Sequence, residues 1–332
     1  MYPLKFKPIF KYALWGGSKI LSYKGLDYKR AAVGECWELS AVQGSESVVV
    51  NGEFAGRTIT EVLEQCGAEL IGADNFKRFG LEFPLLVKFI DAKHDLSIQV
   101  HPDEVLARKR HRSHGKCEMW YIVSADSDTR LMSGFSAKVD KKEYEERLKQ
   151  GTLTQVLQHY NVKVGDLYHI PPGCIHSVGA GCFIVEIQQT SDITYRVYDY
   201  DRRDQNGNLR ELHTEFAAGA IDFGNTKKSI VDYDKELRNT PVDLIDCPYF
   251  TTSLLDLESS YTWDLCNEDK FQILICVTGE AMLTVDIENP VGDKISKSSV
   301  VSLRQGETIL VPATTKKIDI QTKSAKILIA TV

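Results

Sequence analysis

Side chains with metal-binding chemistry interrupt an otherwise apolar stretch near the middle of this 332-residue chain. In the run from Leu96 to Pro102, strand alternation would place Ser97, Gln99 and His101 on one face and the apolar side chains on the other. Burying an unpaired amide or imidazole costs roughly 1 to 3 kcal/mol, so this face needs a partner. A metal ion would bind both Gln99 and His101.

Two further segments supply ligands for the same ion. Lys116 and Glu118 are two residues apart, so they would point together from one strand. The segment from Gly165 to His176 predicts a strand that ends in a Pro-Gly turn and is followed by a histidine on the next strand. The result is a set of two nitrogen and two oxygen ligands, suited to zinc or another first-row divalent ion: Gln99, His101, Glu118 and His176.

Cysteine is the other potential metal ligand in this region. Cys117 and Cys174 lie beside proposed ligands, but Cys117 should point away from Glu118 on a strand. The eight cysteines are scattered through a chain that is too long to need disulfides and begins without a secretion signal. We therefore expect reduced thiols and a cytoplasmic location.

Composition restricts the classes of partner. Charged residues make up 26% and hydrophobic residues 43% of the chain, as in an ordinary globular protein. The net charge is -6 and the basic run Arg108 to Arg112 is short, which argues against a nucleic-acid partner. No apolar span has the length that a membrane requires. A small molecule is the expected partner, and the chain could be a monomer or a dimer.

Helical patterns interrupt the strands at two places. The first is predicted at about 58–71, where Thr58 and Glu61 can form a capping box and apolar residues follow at helical spacing. The second is predicted at about 140–160 as two short helices, of which the first starts at Asp140 and the second covers 154–160. An insertion there would explain the sequence distance between the third and fourth metal ligands.

The last part of the chain, from about residue 244, is continuously β in pattern. The run Gly306 to Pro312 repeats the pattern of Gly165 to Pro171, which indicates an internal duplication. No histidine follows His213, so the second copy cannot repeat the metal site. The predicted strands of this part, with a turn at 278–280, are Phe271–Val277, Ala281–Asp286, Val300–Leu303, Thr308–Val311 and Ile318–Val332.

The spacing of a glycine, five residues, Pro-x-Gly, two residues and His176 resembles the second signature of the cupin superfamily. The resemblance implies a mainly β fold of two jelly-roll β-sandwich domains with a small helical insertion. A catalytic cupin domain would cover residues 1–243, including the helical insertions. A C-terminal cupin-like domain without metal ligands would cover residues 244–332.

The chain as a whole resembles the zinc-dependent phosphomannose isomerases. The resemblance starts at Trp15-Gly16-Gly17, extends into the C-terminal cupin, and is densest in four segments: Leu96–Pro102, Gly115–Tyr121, Pro171–His176 and Asp192–Arg203. It implies one zinc ion per chain, bound by the four ligands named above. It also implies an aldose-ketose isomerase that interconverts mannose 6-phosphate and fructose 6-phosphate through a cis-enediol.

The resemblance implies catalytic roles for Arg196, Lys116 and Asp192. Arg196, which is always protonated, would stabilise the enediolate, and Asp192 or a metal-bound water would carry the proton. The resemblance and the strand parity assign substrate binding to Ser97, Lys88 and Arg202, the last two as phosphate donors. Some relatives have a ring-opening histidine just before the position of Lys116, where this chain has Gly115 and places His114 one residue earlier. The candidates for the ring-opening group are therefore His114, Lys116 and a metal-bound water.

Two other functions are compatible with a metal-binding cupin. One is an iron-dependent oxygenase, but a glutamine and a glutamate among the ligands favour a redox-inactive ion. The other is a non-catalytic sugar-phosphate-binding module that has kept the fold. Metal analysis and an isomerase assay distinguish these three functions.

Overall fold

The structure is a computed structural model that describes residues 1–26, 32–204, 206–225, 227–287 and 297–332. The fold is mainly β, as the sequence predicts. In chain order the strands are β1 (Leu4–Lys5), β2 (Ile9–Gly17), β3 (Val33–Leu39), β4 (Leu85–Asp91), β5 (Ile98–Val100), β6 (Glu118–Ala125), β7 (Arg130–Phe135), β8 (Leu157–Asn161), β9 (Leu167–Ile170), β10 (His176–Ser177), β11 (Cys182–Gln189), β12 (Tyr195–Tyr198), β13 (Ile230–Val231), β14 (Val242–Asp246), β15 (Thr251–Leu257), β16 (Tyr261–Asp264), β17 (Gln272–Ile287), β18 (Lys297–Arg304), β19 (Thr308–Val311) and β20 (Lys317–Thr331).

Short helices connect these strands. They are α1 (Lys19–Tyr23), α2 (Ile59–Cys66), α3 (Ala68–Ile71), α4 (Ala73–Phe79), α5 (Glu104–His111), α6 (Lys141–Lys149) and α7 (Thr214–Ala218), with 3₁₀ turns at Gly52–Phe54 and Leu153–Val156. Within the described ranges, no helix has the length and apolar character needed to cross a bilayer.

Two antiparallel sheets form the sandwich that contains the predicted ligands. The large sheet has the strand order β13-β9-β6-β11-β4-β3-β2, and the small sheet has the order β12-β5-β10-β7-β8. Side chains of both sheets, including Trp120 on β6 and Leu131 on β7, belong to one buried apolar cluster. The space between these two sheets is therefore a packed core, with the site at one end of it.

A third sheet forms the C-terminal part of the fold. Its main path is β1-β19-β17-β20-β15-β14, with β16 on β20 and β18 on β17. Its buried residues Ile273 and Leu328 join a cluster with Phe89 and Val185 of the large sheet. The first strand pairs with β19, so residues 4 and 5 lie in this sheet. The division at residues 243 and 244 stays a prediction.

The helical prediction over 58–71 is confirmed as two consecutive helices, α2 and α3. The Thr58 hydroxyl accepts a hydrogen bond from the Glu61 amide, and the Glu61 carboxylate accepts one from the Thr58 amide at 2.7 Å, which completes the capping box. Gly67 separates the helices with a φ of 51°, a conformation that favours glycine. Helix α4, which follows, was not among the predicted elements.

The prediction over 140–160 is only partly right. Helix α6 starts where expected, with the Asp140 carboxylate accepting from the Glu143 amide. The predicted helix at 154–160 is wrong, because a 3₁₀ turn at Leu153–Val156 leads directly into β8. Strand β8 pairs with β7 and buries Leu157 on one face. Ladder hydrogen bonds to a neighbouring strand therefore override the weak local preference for helix.

The predicted turn at 278–280 is also wrong. Strand β17 continues from Gln272 to Ile287, with register shifts on both sides of Gly279. Gly279 has a φ of 77°, and a Cβ there would lie 2.1 Å from the Ser324 carbonyl oxygen. The glycine therefore marks bulges within one long strand, where it permits local bending without ending the strand.

Candidate active site and metal centre

The four side chains predicted to bind metal converge between the large and small sheets. Gln99 on β5 lies opposite His176 on β10, and Glu118 is the first residue of β6 in the facing sheet. The distance from His101 Nε2 to Glu118 Oε1 is 3.3 Å, and that from His176 Nε2 to Glu118 Oε2 is 3.7 Å. The ligand atoms of His101, Glu118 and His176 all lie within 4.8 Å of one another. The predicted convergence is present.

Backbone carbonyls fix the orientation of both histidine rings. His101 Nδ1 is 2.8 Å from the Ile193 carbonyl oxygen, and His176 Nδ1 is 2.8 Å from that of Cys174. Because a carbonyl only accepts, each Nδ1 donates, and each neutral ring presents the lone pair of Nε2 to the site. Burial and the Lys116 cation lower the pKa of His101 to about 4, and burial lowers the pKa of His176. Both rings are neutral near pH 7.

Glu118 provides the anionic ligand of this group. Its side chain is completely buried, and burial opposes its charge, but the Lys116 ammonium and His101 hold its pKa well below the usual range. Its Oε2 atom is buried and has no hydrogen-bond partner in the described part of the chain. A buried carboxylate with one unsatisfied oxygen, grouped with two imidazole lone pairs, fits a divalent cation, which would satisfy all three side chains.

Gln99 completes the group through its amide. Ser97 Oγ donates to Gln99 Oε1 at 3.3 Å, and Gln99 Nε2 lies 3.3 Å from His176 Nε2. These contacts place Ser97 and Gln99 on the same face of the strand, as alternation predicts. For Gln99 to bind a cation through oxygen, its amide must rotate and exchange Nε2 for Oε1.

Lys116 contacts two of the ligand side chains. Its ammonium forms an ion pair with Glu118 and lies 3.4 Å from His101 Nε2, and the side chain is 4% exposed. A Cβ at Gly115 would lie 2.7 Å from the Glu104 backbone nitrogen, so this chain has no space for a histidine there. His114 does not replace it, because its ring is held by the carboxylates of Glu82 and Glu104 at 2.6 and 3.1 Å.

A cavity of about 170 Å³ is lined by Gln99, one of the four predicted ligands, and by Lys116, which contacts two of the others. Three tryptophans, which are mostly buried, form part of its wall: Trp15, Trp37 and Trp120. Of the six residues predicted for catalysis and substrate binding, the cavity is lined by five: Ser97, Lys88, Lys116, Asp192 and Arg196. Arg202 is outside this lining, and Arg210, which the sequence analysis did not single out, is part of it.

Lys88 lies between two carboxylates of the cavity wall. Its ammonium is 3.1 Å from Glu186 Oε1 and 3.6 Å from Glu35 Oε2. Burial works against the charge, but these two carboxylates raise the pKa of Lys88, which stays protonated. Glu186 was not among the residues predicted from the sequence, although a lone acid in an apolar strand is a usable signal. Its register partner on β4 is Lys88 itself.

Three arginines in or near the cavity differ in how many of their N–H donors already have hydrogen-bond partners. Arg196 donates from Nη1 to the Glu211 carbonyl at 2.8 Å, but its Nε is buried and has no hydrogen-bond partner in the described ranges. Arg210 donates from both Nε and Nη2 to the Asp199 carboxylate, from Nε at 2.7 Å. Arg202 donates to the same carboxylate and to the Asp95 carbonyl. Arg196 therefore has a donor available for a ligand, and Arg210 is the second arginine at this cavity.

Comparison with known proteins gives a consistent set of relatives. Residues 4–121 match the family model for the phosphomannose isomerase type I catalytic domain. The chain is 34% identical to mannose-6-phosphate isomerase ManA of Bacillus subtilis (strain 168), over 93% of each chain. It is 32% identical to the mannose-6-phosphate isomerase of Streptococcus mutans, over 91% of this chain and 90% of that one. The crystal structure of the Bacillus subtilis mannose 6-phosphate isomerase superposes with a TM-score of 0.87, at 30% identity and complete coverage of both chains.

Proposed function

The chain belongs to the type I phosphomannose isomerases, and we propose that it interconverts mannose 6-phosphate and fructose 6-phosphate with one zinc ion at Gln99, His101, Glu118 and His176. The observation that carries this proposal is the buried Glu118 carboxylate, whose Oε2 has no hydrogen-bond partner in the described ranges and which lies against two neutral imidazoles, near a cavity lined by cationic side chains. Zinc suits this ligand set because it accepts nitrogen and oxygen ligands in one tetrahedral site.

The reaction requires a proton to move between C1 and C2 of the open-chain sugar, through a cis-enediol with negative charge on its oxygens. When bound, a divalent cation would polarise the sugar oxygens at these carbons. Lys116 and Arg196 would add positive charge beside the enediolate, and the free Nε of Arg196 is a donor for it. Ser97 would donate to a sugar hydroxyl.

Proton transfer needs a group that can both accept and release a proton. Asp192 lines the cavity and is exposed, so it can reach both the substrate and water. We assign it as the proton carrier. The guanidinium of Arg196 is unsuited to this task because it does not give up its proton in proteins. The tryptophans of the wall would limit water access to the carbon atoms that react.

A coupled assay with mannose 6-phosphate tests the proposed function. We expect turnover by the purified protein, loss of turnover after chelation, and recovery when zinc is added back. Binding of mannose 6-phosphate without turnover in the zinc-loaded protein would identify a non-catalytic module. Iron in the purified protein together with oxygen-dependent turnover would identify an oxygenase.

Arg210 is expected to bind the phosphate of the substrate more directly than Arg202. Loss of a hydrogen bond between charged groups costs roughly 1.5 to 3 kcal/mol, so Arg210→Ala should raise KM for mannose 6-phosphate roughly 10- to 100-fold. Arg202→Ala is the matched control, because Arg202 contacts the same Asp199 carboxylate but does not line the cavity. A larger increase in KM for Arg202→Ala would contradict this assignment.

Metal-free protein is expected to lose stability as the pH falls from 6.5 toward about 4. In this range an unfolded histidine, with its ordinary pKa of 6.5, takes up a proton, whereas folded His101 resists protonation down to about 4. The unfolded state then binds more protons, so acid favours unfolding. Glu118, whose pKa is lowered in the folded protein, adds a further loss of stability below pH 4.5, which is the ordinary pKa of a glutamate.

Urea unfolding of the chelated protein at several pH values within this range measures the effect. The variant His101→Gln lacks one of the groups responsible, so its free energy of unfolding should fall less steeply with pH. If the two proteins show the same slope, His101 is not the source of the pH dependence.

A further inference from the structure

A second group of metal-binding side chains lies outside the isomerase site. It consists of Cys117 Sγ, His169 Nε2 and Cys247 Sγ, and these atoms all lie within 4.8 Å of one another. Cys117 Sγ is 3.2 Å from His169 Nε2. Both cysteines carry free thiols. We call these three residues the thiol cluster.

The thiol cluster joins three separate elements of the fold. Cys117 immediately precedes β6, His169 lies on the neighbouring strand β9 of the large sheet, and Cys247 lies between β14 and β15 of the C-terminal sheet. Since Cys117 and Glu118 are consecutive in extended backbone, their side chains point to opposite faces. The thiol cluster therefore lies on the face of the large sheet opposite the isomerase site.

The backbone groups of the cluster already have partners. The Cys117 amide donates to the Gln189 side chain at 3.0 Å, the His169 amide to the Ser229 carbonyl at 2.8 Å, and the Cys247 amide to the Phe250 carbonyl at 3.1 Å. These bonds position three chain segments from which soft ligand atoms point to one place.

The surroundings of the thiol cluster favour a soft cation. Cys117 is 1% exposed and belongs to the apolar cluster between the large and C-terminal sheets, and Cys247 packs against that cluster. His169 and Cys247 are half-buried, so an ion can enter and a water molecule can complete its coordination. Hard ions such as magnesium prefer oxygen ligands, which this group does not supply.

We propose that Cys117, His169 and Cys247 form a second metal site, which binds one soft or borderline divalent cation such as Zn²⁺. Ligand atoms roughly 2.0 to 2.3 Å from a tetrahedral zinc ion lie about 3.5 to 4 Å apart, so the observed spacing requires only small side-chain adjustments. Binding releases the two thiol protons to solvent, and two thiolates neutralise the charge of the ion. A disulfide between the two cysteines would leave His169 without a role. The presence of His169 beside the two thiols therefore favours a metal site over a disulfide.

Cobalt titration of the chelated, full-length protein tests this proposal. Thiolate ligands give Co²⁺ a charge-transfer absorption in the near ultraviolet, and the isomerase site has no sulfur ligand. We expect two equivalents of Co²⁺ per chain, with this absorption belonging to one of them. Cys247→Ser and His169→Gln should each weaken or remove the absorption and reduce zinc content from two equivalents to one.

Controls separate this proposal from the isomerase activity. Cys66→Ser, at another half-buried cysteine, should retain two equivalents and the absorption. Cys247→Ser should keep its circular dichroism and its isomerase activity, because Cys247 lies outside the isomerase site. One equivalent without thiolate absorption in the wild-type protein would overturn the proposal, as would absorption that survives in Cys247→Ser. A disulfide pair would give a different result. Two titratable thiols would be lost in the air-oxidised, metal-free protein, and the reduced protein would show no thiolate absorption with cobalt, which would also overturn the proposal.

Discussion

Replacing His101 with alanine is expected to lower kcat/KM for mannose 6-phosphate by on the order of 10³-fold or more, together with loss of the zinc at this site. The His101 ring is 1% exposed, and it would supply one of the two neutral nitrogen ligands of the proposed zinc site. Its removal leaves Glu118 and His176 as too few strong ligands to retain the ion. A coupled assay and metal analysis of the same preparation measure both effects.

His159→Ala is the matched control for this variant. His159 is exposed on β8, and its Nε2 lies 3.0 Å from the Thr154 carbonyl oxygen, away from the cavity. The His159→Ala variant should keep wild-type activity and zinc content. A fully active His101→Ala variant would refute both the metal site and the proposed mechanism, whatever the behaviour of the control.

Replacing Lys116 with methionine is expected to lower kcat by about 10²- to 10⁴-fold while zinc remains bound. The Lys116 ammonium contacts Glu118 and lies beside His101, at the point where the cavity meets the ligands. Methionine keeps most of the side-chain volume but removes the charge that would stabilise the enediolate. In the zinc-loaded variant the cation compensates the charge of Glu118, so the fold should persist.

Steady-state kinetics and zinc content distinguish the roles that Lys116 could have. A loss of kcat with zinc retained supports a direct part in catalysis. Loss of zinc would instead indicate that Lys116 acts by positioning Glu118, and unchanged kinetics would contradict any role. Lys142→Met is the control, because Lys142 is exposed on α6. Its ammonium contacts only the Glu146 carboxylate, at 3.8 Å, in a solvent-accessible ion pair of the described ranges.

Strand alternation explains why the convergence of these side chains was predictable without the structure. A strand has a period of two, so the residue types at 97, 99 and 101 already indicate which side chains share a face. The Pro-Gly turn before His176 restricts the backbone locally and brings that histidine to the start of a strand. Local patterns of this kind depend on neighbours in the sequence, and these are visible in the chain itself.

Errors occurred where residues distant in sequence determine the structure. The segment 157–161 is a strand because β7 offers it a hydrogen-bonding edge, and no feature within the segment records that neighbour. Gly279 continues a strand instead of ending one, because β18 and β20 pair with β17 along its length. Local propensity was in each case weaker than the pairing supplied by the sheet.

The amino-acid sequence by itself determined the mainly β class, the family resemblance and the group of side chains proposed to bind metal, because these depend on residue types at short, regular spacings. Only the tertiary structure decided that Arg210 and not Arg202 lines the cavity, that Lys88 is held between Glu186 and Glu35, and that Cys117 lies beside Cys247. Those contacts join residues from different strands and sheets. Their geometry is set by sheet order and packing, which no periodicity along the chain encodes.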